Sequence, residues 1–262
     1  MATKLSVCIV AYKNYEDVKK AVSTMERYTS VELEKKIYIV DNAAAEMPKN
    51  LVEEFKLFLR NYSDIKYIDT GFNLGFGKGH NFILNQLNSE YHAIVNPDIL
   101  FCEDAFSSII SYMNENSDVG MVIPEIIDEF GKRQSVYREE LTVFDMFNRY
   151  FCKGFFKKRS KSHSLQNKDY TRPFQVPFGQ GSFLVIRTSL FKQLEGFDDK
   201  FFMYVEDADL CKRVNTVSKL MYFPGARVIH KWEKGSHKNK VLFKYHVQSM
   251  HYYFKKWGIK LW

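Results

Sequence analysis

The sequence predicts an α/β protein with a mixed, mainly parallel sheet flanked by helices, followed by a basic, aromatic helical segment at the C-terminus. Two observations carry this. Short apolar runs alternate with helix-spaced apolar segments through the first half of the chain, the pattern of βαβ units. The predicted strands also end in polar residues, where an open α/β sheet binds its ligands. With 262 residues, 45% hydrophobic and 26% charged, the chain is long enough for a large core without disulfide or metal staples and unlike a disordered or collagen-like protein.

Taken in order, Leu5–Val10 reads as a buried strand, and Tyr15–Tyr28 as a helix through Val18, Ala21, Val22 and Met25. Lys36–Val40 is a second strand and Leu51–Leu59 a second helix; Ile65–Ile68 is a third strand, followed by a glycine-rich turn and a helix near 78–87. His92–Val95, a helix over Phe106–Met113 and a strand over Val119–Ile123 complete the first half. Residues 124–176 lack periodicity and carry the basic run Lys153–Lys161, which reads as an acceptor-facing insertion or a plain solvated loop. Beyond it come a strand over Ser182–Ile186, helices over Ser189–Leu194 and Val205–Val214, two strands near Leu220–Phe223 and Arg227–Ile229, and a helix over 239–257. The expected organisation is a catalytic domain over 1–236, with halves 1–123 and 124–236, and a basic amphipathic helix over 237–262.

The net charge of +7 is unevenly spread. From Leu210 onward, twelve Lys and Arg face one acid, Glu233, a local +11 that leaves the rest of the chain at −4. Such a tail suits an anionic membrane surface, phosphate-bearing ligands or nucleic acid. Cys8, Cys102, Cys152 and Cys211 form no CxxC pair, which argues against zinc and a disulfide framework and for a reducing cytosol. No stretch approaches the ~18 apolar residues that span a bilayer.

Acids or amides stand at several strand ends: Asp41-Asn42, Asp69-Thr70-Gly71 and Asn96-Pro97-Asp98. A lone one is commonly a helix cap, but several on one sheet would converge on one crevice. The glycine-rich segment Gly71–Asn81 matches neither GxGxxG nor GxxxxGK[ST], yet allows close backbone approach to a ligand. Glu206, Asp207 and Asp209 crowd one helical turn. They complement the helix dipole, but one or two would suffice for that, so a carboxylate kept for proton transfer or metal binding is expected. His230 alone is a weak signal.

Together, Ser6–Tyr12, Val40–Asn42, Gly71–Gly75 with Asn81, Asn96–Asp98, Gly179–Ser182, Gly196–Asp198, Glu206–Asp209 and His230 with Ser236 resemble the GT-A (Rossmann-like) glycosyltransferases of family 2, over about residues 4–236. The similarity is greatest to the rhamnosyltransferase-like branch of bacterial cell-wall, capsule and O-antigen synthesis. The resemblance implies inverting transfer of a sugar from a nucleotide donor to an acceptor hydroxyl, with L-rhamnose from dTDP-rhamnose the first expectation and a UDP-hexose the alternative. It places Ala11, Tyr12, Asp41, Asn73, Gly75, Asn81 and Asn96 at the donor, and Asp98 with His230 on Mg²⁺ or Mn²⁺. Asp207 becomes the general base beside Glu206, with Gly181, Asp209, Arg213 and Ser236 on the acceptor side. Asn96 replaces the first acid of the family's DxD, and a neutral side chain there weakens a metal site. The acceptor implied is a glycan, lipid-linked, met by a cytoplasmic enzyme peripheral to the inner face of the membrane, without nucleic acid. The rivals are a sugar nucleotidyltransferase, whose glycine-rich basic loop after the first strand is missing here, and a non-catalytic membrane- or nucleic-acid-binding protein using the tail.

Overall fold

The computed structural model describes residues 3–144, 148, 157–231 and 240–261. A nine-stranded mixed sheet forms its centre. Strands β1 (Thr3–Ala11), β2 (Lys35–Asp41), β3 (Ile65–Asp69) and β4 (Ser89–Val95) are parallel, in the order β3-β2-β1-β4. Helices α1 (Tyr15–Tyr28), α2 (Lys49–Leu59) and the short α3 (Phe76–Asn81) connect them. In α1 the positions Val18, Ala21, Val22 and Met25 are fully buried, so its 3.6-residue stripe is the face laid on the sheet.

After β4 the topology departs from the expected parallel units. A three-residue strand β5 (Ile99–Phe101) precedes α4 (Ala105–Glu115), whose N-cap Asp104 accepts from the Ser107 amide at 3.1 Å. Strand β6 (Val119–Ile127) follows, and the hairpin-like pieces β7 (Tyr137–Arg138), β8 (Phe174–Gln175) and β9 (Phe178–Gly179) flank α5 (Lys157–His163). Strand β10 (Phe183–Arg187) then enters antiparallel between β4 and β6. Helices α6 (Thr188–Gln193) and α7 (Glu206–Val217) lead to β11 (Lys219–His230), parallel to β6 and antiparallel to β5.

Strand β11 is continuous where the sequence suggested two strands. Pro224 and Gly225 fall in a register irregularity between Phe223 and Arg227, which interrupts the apolar pattern without ending the strand. The helix expected near 78–87 is likewise shorter, ending at Asn81 before a 3₁₀ turn over Leu84–Gln86.

The C-terminal helix α8 (Lys240–Trp257) packs against the body through Tyr253, which is 4% exposed, and through Tyr252, whose ring meets Phe201 at 4.8 Å. Its aromatic residues therefore contribute to the core rather than only to a surface. Lys240, Lys244, His251 and Lys255 lie on the exposed face. Among the described residues no helix is long and apolar enough to cross a membrane.

Candidate active site

The carboxyl ends of β1, β2 and β3 are in register at Ala11, Asp41 and Asp69, at one end of the sheet. Ala11 is buried, while Tyr12 is 40% exposed, its phenol donating to Glu46 Oε2 at 3.2 Å beneath the Lys13 ammonium. Asp41 is fully buried. Its Oδ2 accepts from the phenols of Tyr15 at 2.6 Å and Tyr67 at 2.8 Å, and its Oδ1 from the Ala43 amide at 2.8 Å. The carboxylate is thus consumed inside the fold. Burial, then the bond to this acid, pushes both phenol pKa values up, so the phenols remain donors.

The glycine turn forms the next wall. Asn73 Oδ1 accepts from the Gly75 amide at 2.9 Å, and Asn42 Nδ2 donates to the Gly75 carbonyl at 2.9 Å. Gly75 has φ +80°, and a Cβ there would lie 2.1 Å from the Phe202 carbonyl, so only glycine fits. Asn81, expected at the donor, is a correction. Its amide donates to the Phe197 carbonyl at 2.7 Å and Asp199 Oδ1 at 2.8 Å while accepting from the Phe197 amide, which fastens α3 to the 196–199 turn.

Asn96, Ser182 and Asp98 stand at the opposite side. The Asn96 amide donates to the Ser182 carbonyl at 2.8 Å, continuing the β4–β10 ladder, while Asn96 Oδ1 and Ser182 Oγ are buried without a partner. Asp98 Oδ2 lies 3.2 Å from Nε2 of the buried His230. Gln134 Nε2 donates to the His230 carbonyl at 2.7 Å, which turns its Oε1 toward His230 Nδ1 at 3.1 Å. His230 Nδ1 thus faces the Gln134 side chain, and Nε2 faces the Asp98 carboxylate.

That arrangement fits a divalent ion. The separation is that of neighbouring ligands on one octahedral centre, about 3 Å for bonds of ~2.1 Å. Among the described residues no group of three His, Cys, Asp or Glu could hold a metal. Asp98 and His230 could supply two ligands to a divalent ion, the remaining positions being filled from outside the described residues. Gln134 escaped sequence analysis because it sits in the stretch without periodicity.

Asp207 occupies the first turn of α7. Its Oδ2 accepts from the Gly181 amide at 3.0 Å and its Oδ1 from the Ala208 amide at 2.8 Å. A Cβ at Gly181 would lie 3.0 Å from Asp207 Cβ, so the glycine lets the backbone reach the carboxylate. Burial raises the Asp207 pKa above the usual carboxylate range, against the amide donors and the Arg138 charge, which lower it. Glu206 is buried, with Oε2 unpartnered; burial, then the Asp207 charge, raises its pKa well above the usual range. Arg138 was also missed, being carried by the two-residue strand β7.

Asp209 and Arg213, expected near the acceptor, are instead structural. Asp209 is fully buried; it accepts from Arg213 Nε at 2.8 Å, Trp257 Nε1 at 2.8 Å and Lys256 Nζ at 2.7 Å. Arg213 also donates to the Leu194 and Gly196 carbonyls at 2.7 and 2.8 Å. Ser236 lies outside the described residues.

The mixed sheet, with Asp41, Asp98, His230 and Asp207 at its ends, has the architecture of the GT-A glycosyltransferases. The family model "Glycosyl transferase family 2" matches residues 6–195, and the chain belongs to that family. It is 27% identical over 188 residues to the N-acetylglucosaminyl-diphospho-decaprenol L-rhamnosyltransferase of Mycobacterium tuberculosis strain CDC 1551 / Oshkosh, covering 66% of this chain and 60% of that one. It is 24% identical over 262 residues to the rhamnosyltransferase WbbL of Escherichia coli K12, covering 95% and 92%. The fold resembles the crystal structure of GalNAc-T7 with UDP, GalNAc and Mn²⁺, with a TM-score of 0.69, 15% identity, and coverage of 95% of this chain and 48% of that one.

Proposed function

We propose that the protein is an inverting glycosyltransferase that moves a hexose from a nucleotide donor to an acceptor hydroxyl, with Asp207 as general base. The observation that carries this reading is the division of labour at the sheet end. Asp207 is held by two amides at the start of α7, whereas Asp98 pairs with His230 at 3.2 Å. In this reading the nucleoside lies over Ala11 and Tyr12, and Asp41 orients the Tyr15 and Tyr67 phenols beneath it. Asn73 and Gly75 shape the turn beside the diphosphate, and Asn96 Oδ1 offers an unused acceptor to the donor.

Mg²⁺ or Mn²⁺ held by Asp98 and His230 would neutralise charge on the departing nucleoside diphosphate. The acceptor hydroxyl attacks the anomeric carbon from the face opposite the leaving group, and Asp207 takes its proton as the new C–O bond forms. Burial raises the Asp207 pKa while its two amide donors favour the carboxylate form, which suits it to that transfer. Burial raises the Glu206 pKa beside it.

The names of two relatives favour L-rhamnose from dTDP-rhamnose, with a UDP-hexose as the second donor to test. A lipid-linked glycan is the proposed acceptor. The Lys240, Lys244 and Lys255 face of α8 would hold the enzyme to an anionic membrane, at about 1 kcal/mol per lysine near the surface. The direct test is Asp207→Asn. Turnover should fall by roughly 10²–10⁴-fold with donor affinity kept, whereas parallel loss of both would remove Asp207 from the base role.

A further inference from the structure

The segment between the 196–199 turn and α7 is unusual. Tyr204 and Val205 both have φ +69°, the left-handed region that bulky and β-branched residues avoid. Glu206 and Asp207 follow at once. Such a conformation persists only where its surroundings fix it, and here those surroundings come largely from α8. Ser249 Oγ, buried on that helix, donates to the Met203 carbonyl at 2.8 Å. The Tyr245 ring packs on Phe202 at 4.7 Å, and Tyr252 on Phe201 at 4.8 Å.

The same segment reaches the glycine turn. The Phe202 carbonyl accepts from the Phe76 amide at 3.1 Å and rests against Gly75. One strained strap therefore touches the donor wall at Phe202 and delivers Asp207 at its other end, with the C-terminal helix pressed along its back.

We infer that α8 is a working part of the active site: Ser249, with Tyr245, is a positioning residue that holds the Phe201–Val205 strap in register with both the donor turn and Asp207. This rests on the glycosyltransferase reading above. Each side chain acts through the strap, and a small displacement of a catalytic group can lower a rate on the order of a hundredfold.

The test compares the full-length protein with Ser249→Ala, Ser249→Thr and Tyr245→Leu. Sugar transfer is measured per donor-binding site counted by calorimetry, alongside hydrogen exchange at the amides of 75–79 and 201–207. Ser249→Ala is expected to bind donor at full stoichiometry but turn over roughly ten- to a hundredfold more slowly per site. Its Phe76 amide should exchange faster. Ser249→Thr, which keeps the hydroxyl, should recover most of the rate, and Tyr245→Leu should repeat the loss without touching that hydrogen bond.

Unchanged turnover per site and unchanged exchange in both Ser249→Ala and Tyr245→Leu would overturn the inference. Turnover that falls only in proportion to the lost donor-binding sites would do the same, since that marks a purely structural role. Failure of the parent protein to bind or transfer any nucleotide sugar would instead strike the glycosyltransferase reading. The exchange readout would still report whether α8 holds the strap.

Discussion

Glu206, Asp207 and Asp209 lie within four positions, yet they perform three different tasks. Helical geometry separates them: residues two apart on an α-helix point about 200° apart, so Asp207 meets Gly181 while Asp209 meets Trp257 and Arg213. The acid cluster was legible in the sequence, but which acid faced the crevice depended on packing partners up to about fifty residues away. Because burial raises the Asp207 pKa, the acid limb of the transfer rate against pH should lie above the ordinary aspartate value of about 3.9. A limb at or below that value would mean that Asp207 is not the titrating base. Glu206 makes a separate prediction through stability. Its folded pKa is raised, so its favourable contribution is full below its unfolded value of about 4.3 and is lost as pH rises through the folded value. Glu206→Gln should therefore lessen the fall in melting temperature as pH rises above about 4.3, and an unaltered slope would contradict the raised pKa of Glu206.

Among the elements, those with a long, regular apolar stripe were legible, and α1 runs over the residues its periodicity marks. The failures have local causes. Strand β5 has three residues behind Asn-Pro-Asp, too few to show alternation, and β7 to β9 have two each. The role of α8 was only half legible: its lysines and aromatics were visible, but the pattern alone did not decide between aromatics packed on the domain and aromatics in an interface. Its anchor is Asp209, a fully buried acid shared by Arg213, Lys256 and Trp257. Asp209→Ala would strand the largely buried Arg213 guanidinium and should lower unfolding free energy by about 3–5 kcal/mol. Trp257→Phe loses one hydrogen bond to that acid and should cost only about 1–3 kcal/mol. Chemical denaturation would rank the two, and equal small effects would mean that the hub does not secure the helix.

At the level of the whole molecule, the sheet order brings distant segments to one end. β4 lies between β1 and β10, so Ala11, Asn96 and the Gly181–Asp207 pair come to the same end of the sheet, while β11 returns His230 to Asp98 from across 132 positions. The α/β class could be read from the alternation of elements. The antiparallel entry of β10 could not, because strand direction depends on the long intervening connection rather than on local pattern. The His230–Asp98 pair was expected only through family resemblance, and Gln134, which meets both the ring and the carbonyl of His230, was not expected at all. The charge division, basic over the last fifth and slightly acidic elsewhere, fits a donor crevice and a cationic helix on one chain. The most direct measurement of the central claim is calorimetric titration with dTDP-rhamnose, UDP-glucose, UDP-galactose and GDP-mannose, each with and without Mn²⁺ or Mg²⁺. Asp98→Ala and Asp207→Asn are titrated beside the parent protein. The account predicts metal-dependent binding of one donor, lost in Asp98→Ala and kept in Asp207→Asn. Absence of binding to every donor, or binding indifferent to both the metal and Asp98, would contradict it.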